Sequence, residues 1–236
     1  VSDREARLGS TRAATSASVD RPPFDSRRPR STSALEGNGV HLVREIALAS
    51  RIQRGLENLY RLDRAADVDA FITHAGENER EALLVRETED GLELRLRLPR
   101  LDSADDASNL DPICQIIEGV SHFVYLSDRA SRARATTQLE LELQAEVDKY
   151  VVLAASLERF DQRSSRRLRE RLYEAVRFAH GPETVEGERY RVANERAWRF
   201  TGRLEKDYVA RARYAELRAE LRRFFHMSQE EKLRAS

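Results

Sequence analysis

Residues 110–157 hold the side chains whose types and spacing could do chemistry. In LDPICQIIEGVSHFVYLSDRA, Gln115, Glu118, His122 and Tyr125 fall in one stripe of a helix, opposite its main apolar face. In TTQLELELQAEVDKYVVLAASL, Glu140, Glu142, Glu146 and Asp148 flank an apolar seam. Glu118 and His122 are four residues apart and reach the same spot on a helix, and Glu142 and Glu146 repeat that spacing on the next. A histidine and carboxylates from facing helices can hold a divalent ion. Glu118, His122, Glu142 and Glu146 are therefore candidate metal ligands.

Glu118 and His122 are also the candidate catalytic pair, as an acid and base in a cleft with shifted pKa values. Two arguments oppose a site. Solvent is the usual occupant of a stripe opposite an apolar face. The carboxylate-bundle pattern of histidine three residues after glutamate is also missing. Cys114 lies between isoleucine and glutamine near the apolar face and reads as a core thiol, since a reactive one needs an accessible, electropositive setting. His41, His74, His180 and His226 are scattered. The chain has no glycine-rich phosphate loop, GxSxG elbow or HExxH.

A second chemistry is suggested by Arg163, Arg166, Arg167, Arg169, Arg171 and Arg177, which could grip phosphate oxygens. Glu170 and Glu174 interrupt this run, and no helix-turn-helix or aromatic RNA-binding signature accompanies it.

Composition narrows the classes. Charged residues make up 35% of the 236 residues and aromatics 7%, so a charged surface over an aliphatic core is expected. No apolar run reaches the ~20 residues of a membrane span, and no secretory signal is evident. One cysteine excludes an internal disulfide and a cysteine zinc cluster, and a reducing cytoplasm is the default. The basic residues include only three lysines, Lys149, Lys206 and Lys232, which fits a GC-rich bacterial coding sequence. The net charge of zero hides a split. Residues 1–36 carry +2, residues 37–160 carry −8 (15 basic, 23 acidic) and residues 161–236 carry +6 (19 basic, 13 acidic). The acidic and basic regions should pack on each other or meet a charged partner.

The elements that must position the candidates follow from periodicity. Residues 1–36 lack periodicity and apolar surface and read as a disordered tail. Val40 to about Arg64 repeats apolar residues at helical steps. Asp69–His74 suggests a short strand. Leu92, Leu94, Leu96 and Leu98 alternate with charges after Asp90-Gly91, a hairpin signal, with the 40–64 helix as the nearest cover. Asp111 as N-cap and Pro112 as first helical residue open the Gln115–Tyr125 helix. The helix from about 138 to 160 has a second apolar stripe and should be central in a bundle. An arginine-rich helix is expected over 162–180, stopped by Gly181-Pro182. A long helix then runs from about Tyr190 to Phe225, with a bend or break in 209–215. Ser228 and Glu231 form a capping box for a last short helix.

The fold expected is α+β and mostly helical: an amphipathic helix over a small antiparallel hairpin sheet, then a helical bundle with a long C-terminal helix. The divisions are 1–36, 37–160 and 161–236. The function expected is that of a non-enzymatic cytoplasmic protein, an adaptor or regulator working through a protein partner or self-association, without cofactor and without membrane. The alternatives are a metal-dependent enzyme centred on Glu118 and His122 and a nucleic-acid binder using Arg163, Arg166, Arg167, Arg169 and Arg177.

Overall fold

A computed structural model describes residues 5–8, 42–64, 66–74, 82–88, 91–99, 101, 110–174, 176, 178 and 180–236. The fold is α+β and mostly helical, as the periodicity predicts. Helix α1, Val43–Tyr60, buries Ala49, Ile52, Leu56 and Tyr60 at three- and four-residue steps. It stops at Arg61, which turns left-handed (φ 57°) and returns its N–H to the Glu57 carbonyl.

The sheet contains β1 (Glu5–Leu8), β2 (Ile72–His74), β3 (Ala82–Thr88) and β4 (Gly91–Leu98) in the order β1-β3-β4-β2. The predicted hairpin is present: β3 and β4 pair antiparallel, with Leu83 opposite Leu96. Leu83, Leu96 and Leu98 are buried while Arg95 is exposed, as alternation requires. Thr88 pairs with Gly91, so Gly91 opens β4 and is not a loop residue; Asp90 lies outside the described residues. The sheet is mixed rather than antiparallel, because β2 runs parallel to β4. A one-turn 3₁₀ helix, Val68–Phe71, takes the first part of the Asp69–His74 stretch. The tail assigned to 1–36 lies outside the described residues except for β1, which lies antiparallel on β3.

Helix α2, Asp111–Ser131, covers β3 and β4 and also contacts α1. The 40–64 helix, expected as the nearest cover, shares the same hydrophobic core with Leu83, Leu96 and Leu98. Phe123 of α2 meets Phe71 at 5.3 Å between ring centroids. The N-cap of α2 is Leu110, one residue earlier than expected, with no side-chain cap bond. Helix α3, Gln138–Ala155, is capped by Thr137, whose side chain accepts from the Glu140 N–H. It contacts α1 and α2 on one side, and α4 (Gln162–Arg169), α5 (Val185–Asp207) and α7 (Gln229–Ala235) on others. The two apolar stripes of the sequence thus correspond to a central helix.

The arginine-rich helix is shorter than expected. α4 passes at Glu170 into a π-helical turn that ends at Glu174, well before Gly181-Pro182. Asn194 of α5 donates to the Tyr173 carbonyl at 3.1 Å and satisfies an acceptor that a continuing helix would have used. The long C-terminal pattern is two helices. α5 ends at Asp207, Val209–Arg211 form a 3₁₀ turn, Ala212 is left-handed (φ 51°) and α6 spans Tyr214–His226. The Ser228–Glu231 capping box forms as predicted.

The acidic and basic regions share one hydrophobic core. Tyr60 stacks on Phe225 at 4.2 Å, and Arg222 donates to the Leu59 carbonyl at 2.6 Å. Among the described residues no helix is long and apolar enough to cross a membrane.

Candidate metal centre

Positions on α3 at four- and three-residue steps divide its polar groups between two faces. Glu142, Glu146 and Lys149 point to one side; Glu140, Gln144 and Asp148 point to the other. The stripe on α2 divides in the same way. Glu118 and His122 join the first group, Tyr125 joins the second, and Gln115 donates to Asp111 at 2.6 Å. All four stripe residues are buried, His122 to 1% and Tyr125 to 0% exposure. The expectation of a solvated face fails because α2 is covered both by the sheet and by α3.

In the first group, Glu118, His122 and Glu142 each present a ligand atom, and these atoms lie within 4.8 Å of one another. His122 Nε2 is 3.7 Å from Glu142 Oε2. Neither His122 ring nitrogen completes a hydrogen bond among the described residues, although the Leu141 backbone lies close enough to favour the protonated ring. Lys149 Nζ bridges Glu118 at 2.7 Å and Glu146 at 2.9 Å. Arg189, from the first turns of α5, places Nε 3.7 Å from Glu142 Oε1, a loose contact in which that nitrogen has no hydrogen bond. Its Nη1 donates to Gln138 at 2.6 Å. Of the predicted ligand set, the structure brings together Glu118, His122 and Glu142. Glu146 lies beside them and is engaged by Lys149.

The electrostatics follow from burial. Desolvation pushes the His122 imidazole down to about 4, against the opposing charge of Glu118 and with Lys149 and Arg189 adding to the fall. Desolvation, then the charge of Glu118, raises Glu142 well above the usual carboxylate range. Near neutral pH this contact therefore joins two neutral groups and is no ion pair. Burial also raises Glu146. Burial works against the Lys149 charge, but Glu118 and Glu146 outweigh it and hold its pKa well above normal. Burial pushes the Cys114 thiol up to about 11, which rules it out as an activated nucleophile at neutral pH.

A neutral imidazole with a free ring nitrogen is the form that ligates a metal. One histidine with two carboxylates is a hard-to-borderline set that suits Mn(II), Fe(II) or Zn(II). Metal–ligand bonds near 2.1 Å would place ligand atoms roughly 3–4 Å apart, so a side-chain shift of about 1 Å closes the site. A groove lined by Gln53, Glu57, Asp63, Phe123 and Asp128 includes none of the candidate ligands.

The second group contains residues that sequence reasoning left unassigned. Asp148 accepts from Tyr60, from Ser121 at 2.6 Å and from Gln144 at 3.0 Å. Lys232 of α7 is fully buried; it donates to Gln144 at 2.7 Å and to Tyr125 at 3.0 Å and lies 4.3 Å from the Tyr125 ring centroid. Tyr125 donates to Glu140, which also pairs with Arg129, and Arg129 donates to the Met227 carbonyl at 2.7 Å. Burial lowers Lys232 to about 7 and raises Asp148 to about 6. A lone lysine on a charged seven-residue helix carries no sequence signal of such burial.

The nucleic-acid candidates separate. Arg163, Arg166 and Arg167 are exposed, and Arg166 pairs with Glu170 at 3.0 Å. Arg169 is buried, stacks 4.1 Å from the Trp198 ring centroid and bonds the Trp198 carbonyl and Thr201. Gly202 gives it room, since a Cβ there would lie 2.6 Å from Arg169 Nη2. Arg177 lies outside the described residues. Comparisons with protein-family models, curated proteins and solved structures find no match for this chain.

Proposed function

We propose that this protein binds a divalent metal ion in the core of its helical bundle, with Glu118, His122 and Glu142 as ligands. The observation that carries this reading is His122: it is 1% exposed, neither ring nitrogen completes a hydrogen bond although the Leu141 backbone lies near, and ligand atoms of two carboxylates lie within 4.8 Å of each other and of it. Buried polar groups are nearly always satisfied, so an unmet histidine beside two carboxylates asks for a ligand. The expected interaction surface has less support, since Arg189 of the basic region is turned inward to within 3.7 Å of Glu142 of the acidic one. Burial of all three ligands suits an ion that ties α2 to α3, so that its presence is felt as stability or as a change in helix packing.

The test is thermal unfolding with and without metal. Zn(II) at 100 times its Kd should stabilise the native state by about 2.7 kcal/mol. A chelator should reverse the shift, and His122→Ala should not respond. A melting temperature indifferent to Zn(II) and Mn(II) in the wild type would reject the proposal.

A further inference from the structure

Lys149 occupies a particular place in this cluster. Its ammonium lies 2.7 Å from Glu118 Oε2, so it already neutralises one candidate ligand. It also lies 2.9 Å from Glu146 Oε1, one turn back on the same helix. Glu146 is not among the three grouped ligands and has the more exposed side chain, 13% against 8% for Glu118. The lysine therefore spans an inner carboxylate and an outer one. An ammonium and a divalent ion on the same buried carboxylate repel strongly, because little solvent screens them. Glu146 offers the lysine a position outside the ligand set at the cost of one contact.

We infer that Lys149 is the built-in competitor of the metal: it holds Glu118 when no ion is bound and retreats onto Glu146 when one binds, so that the exchange sets the affinity of the site. This rests on the metal-binding reading above. Without metal, with Glu142 protonated, the charges of Glu118 and Glu146 cancel those of Lys149 and Arg189 and the cluster is neutral; a divalent ion that displaces the Glu142 proton brings it to +1. Without the lysine charge the same ion would bring it to zero. The lysine thus weakens the site and makes it respond to changes in ion concentration. Glu146, a candidate ligand by spacing, acts here as the anchor of the lysine.

The experiment is Zn(II) titration by calorimetry of wild type, Lys149→Met and Glu146→Gln, with lysine acylation read by mass spectrometry. The three lysines provide internal controls, because Lys206 is exposed and Lys232 fully buried. Lys149→Met should bind Zn(II) at least ten-fold more tightly, and Glu146→Gln more weakly than wild type. In the wild type, Zn(II) should raise acylation of Lys149 several-fold and leave Lys206 and Lys232 unchanged. Equal or weaker binding by Lys149→Met, or Lys149 acylation unmoved by a bound ion, would overturn the exchange and leave the metal site standing. Absence of binding in all three proteins would remove the metal site and the exchange with it. Should Lys149→Met fail to fold, the acylation of wild type decides.

Discussion

The two sides of α3 bury polar groups in different ways. Around Asp148 and Lys232, the central oxygens and nitrogens have partners: Tyr60, Ser121 and Gln144 satisfy the carboxylate, and Gln144 and Tyr125 receive the ammonium. Around His122, the ring nitrogens and Arg189 Nε complete no hydrogen bond. A saturated network fixes one packing and gains nothing from a ligand, whereas an unsaturated one is stabilised by whatever completes it. The first network binds the end of the chain to the core; the second is the part with capacity left for an ion.

The largest effect should come from breaking the saturated side. Asp148→Ala takes the acceptor from three buried donors and removes one of the two carboxylates, with Glu140, that offset the Lys232 charge, so unfolding in urea should show a loss of about 3–5 kcal/mol. A loss below about 1 kcal/mol would mean that the network is not cooperative.

A pH profile sharpens the contrast. Lys232 falls from 10.5 to about 7 on folding, so the unfolded chain binds more protons between these values and stability rises with pH across that window. Asp148 rises from 3.8 to about 6, so its contribution is lost as pH climbs from 3.8 to 6. Stability from this side is therefore lowest between pH 6 and 7. The difference between wild type and Lys232→Met, followed by urea unfolding from pH 7 to 10, should grow in favour of wild type. A flat difference would show that the lysine is not buried in solution.

The unsaturated side should be nearly indifferent to losing its histidine. His122→Leu removes at most the poorly formed contact with the Leu141 backbone, so without metal its stability should lie within about 1.5 kcal/mol of wild type. A much larger loss in metal-free buffer would reveal that the imidazole already has a partner. The smallest effect belongs to the exposed arginines. Arg163→Ala and Arg167→Ala should each change stability by no more than about 0.5 kcal/mol, and a salt-dependent loss of DNA or RNA binding in the pair would restore the nucleic-acid reading.

Much of this arrangement is written in local patterns. The four-residue spacing put Glu118 with His122 and Glu142 with Glu146, the leucine alternation located β4, and the interrupted seam marked the break near Ala212. Burial of the stripe was not legible, because a helix buried on both faces and a helix with one wet face share the same polar positions; what covers the second face is set by tertiary packing. Arg189 and Lys232 were missed for a related reason. Each reaches its cluster from a distant segment, and its own neighbours in sequence are ordinary charged helix positions. The end of the arginine-rich helix was misplaced because its terminal carbonyl is taken by Asn194, twenty-one residues further on.

The central claim, that the cluster around His122 is a metal site, is tested most directly by equilibrium dialysis of the full chain against Zn(II) followed by metal analysis. The account predicts one ion per chain in the wild type, and none in a folded protein carrying His122→Ala and Glu142→Gln. A wild type that retains no ion, or a double variant that retains as much, would contradict it.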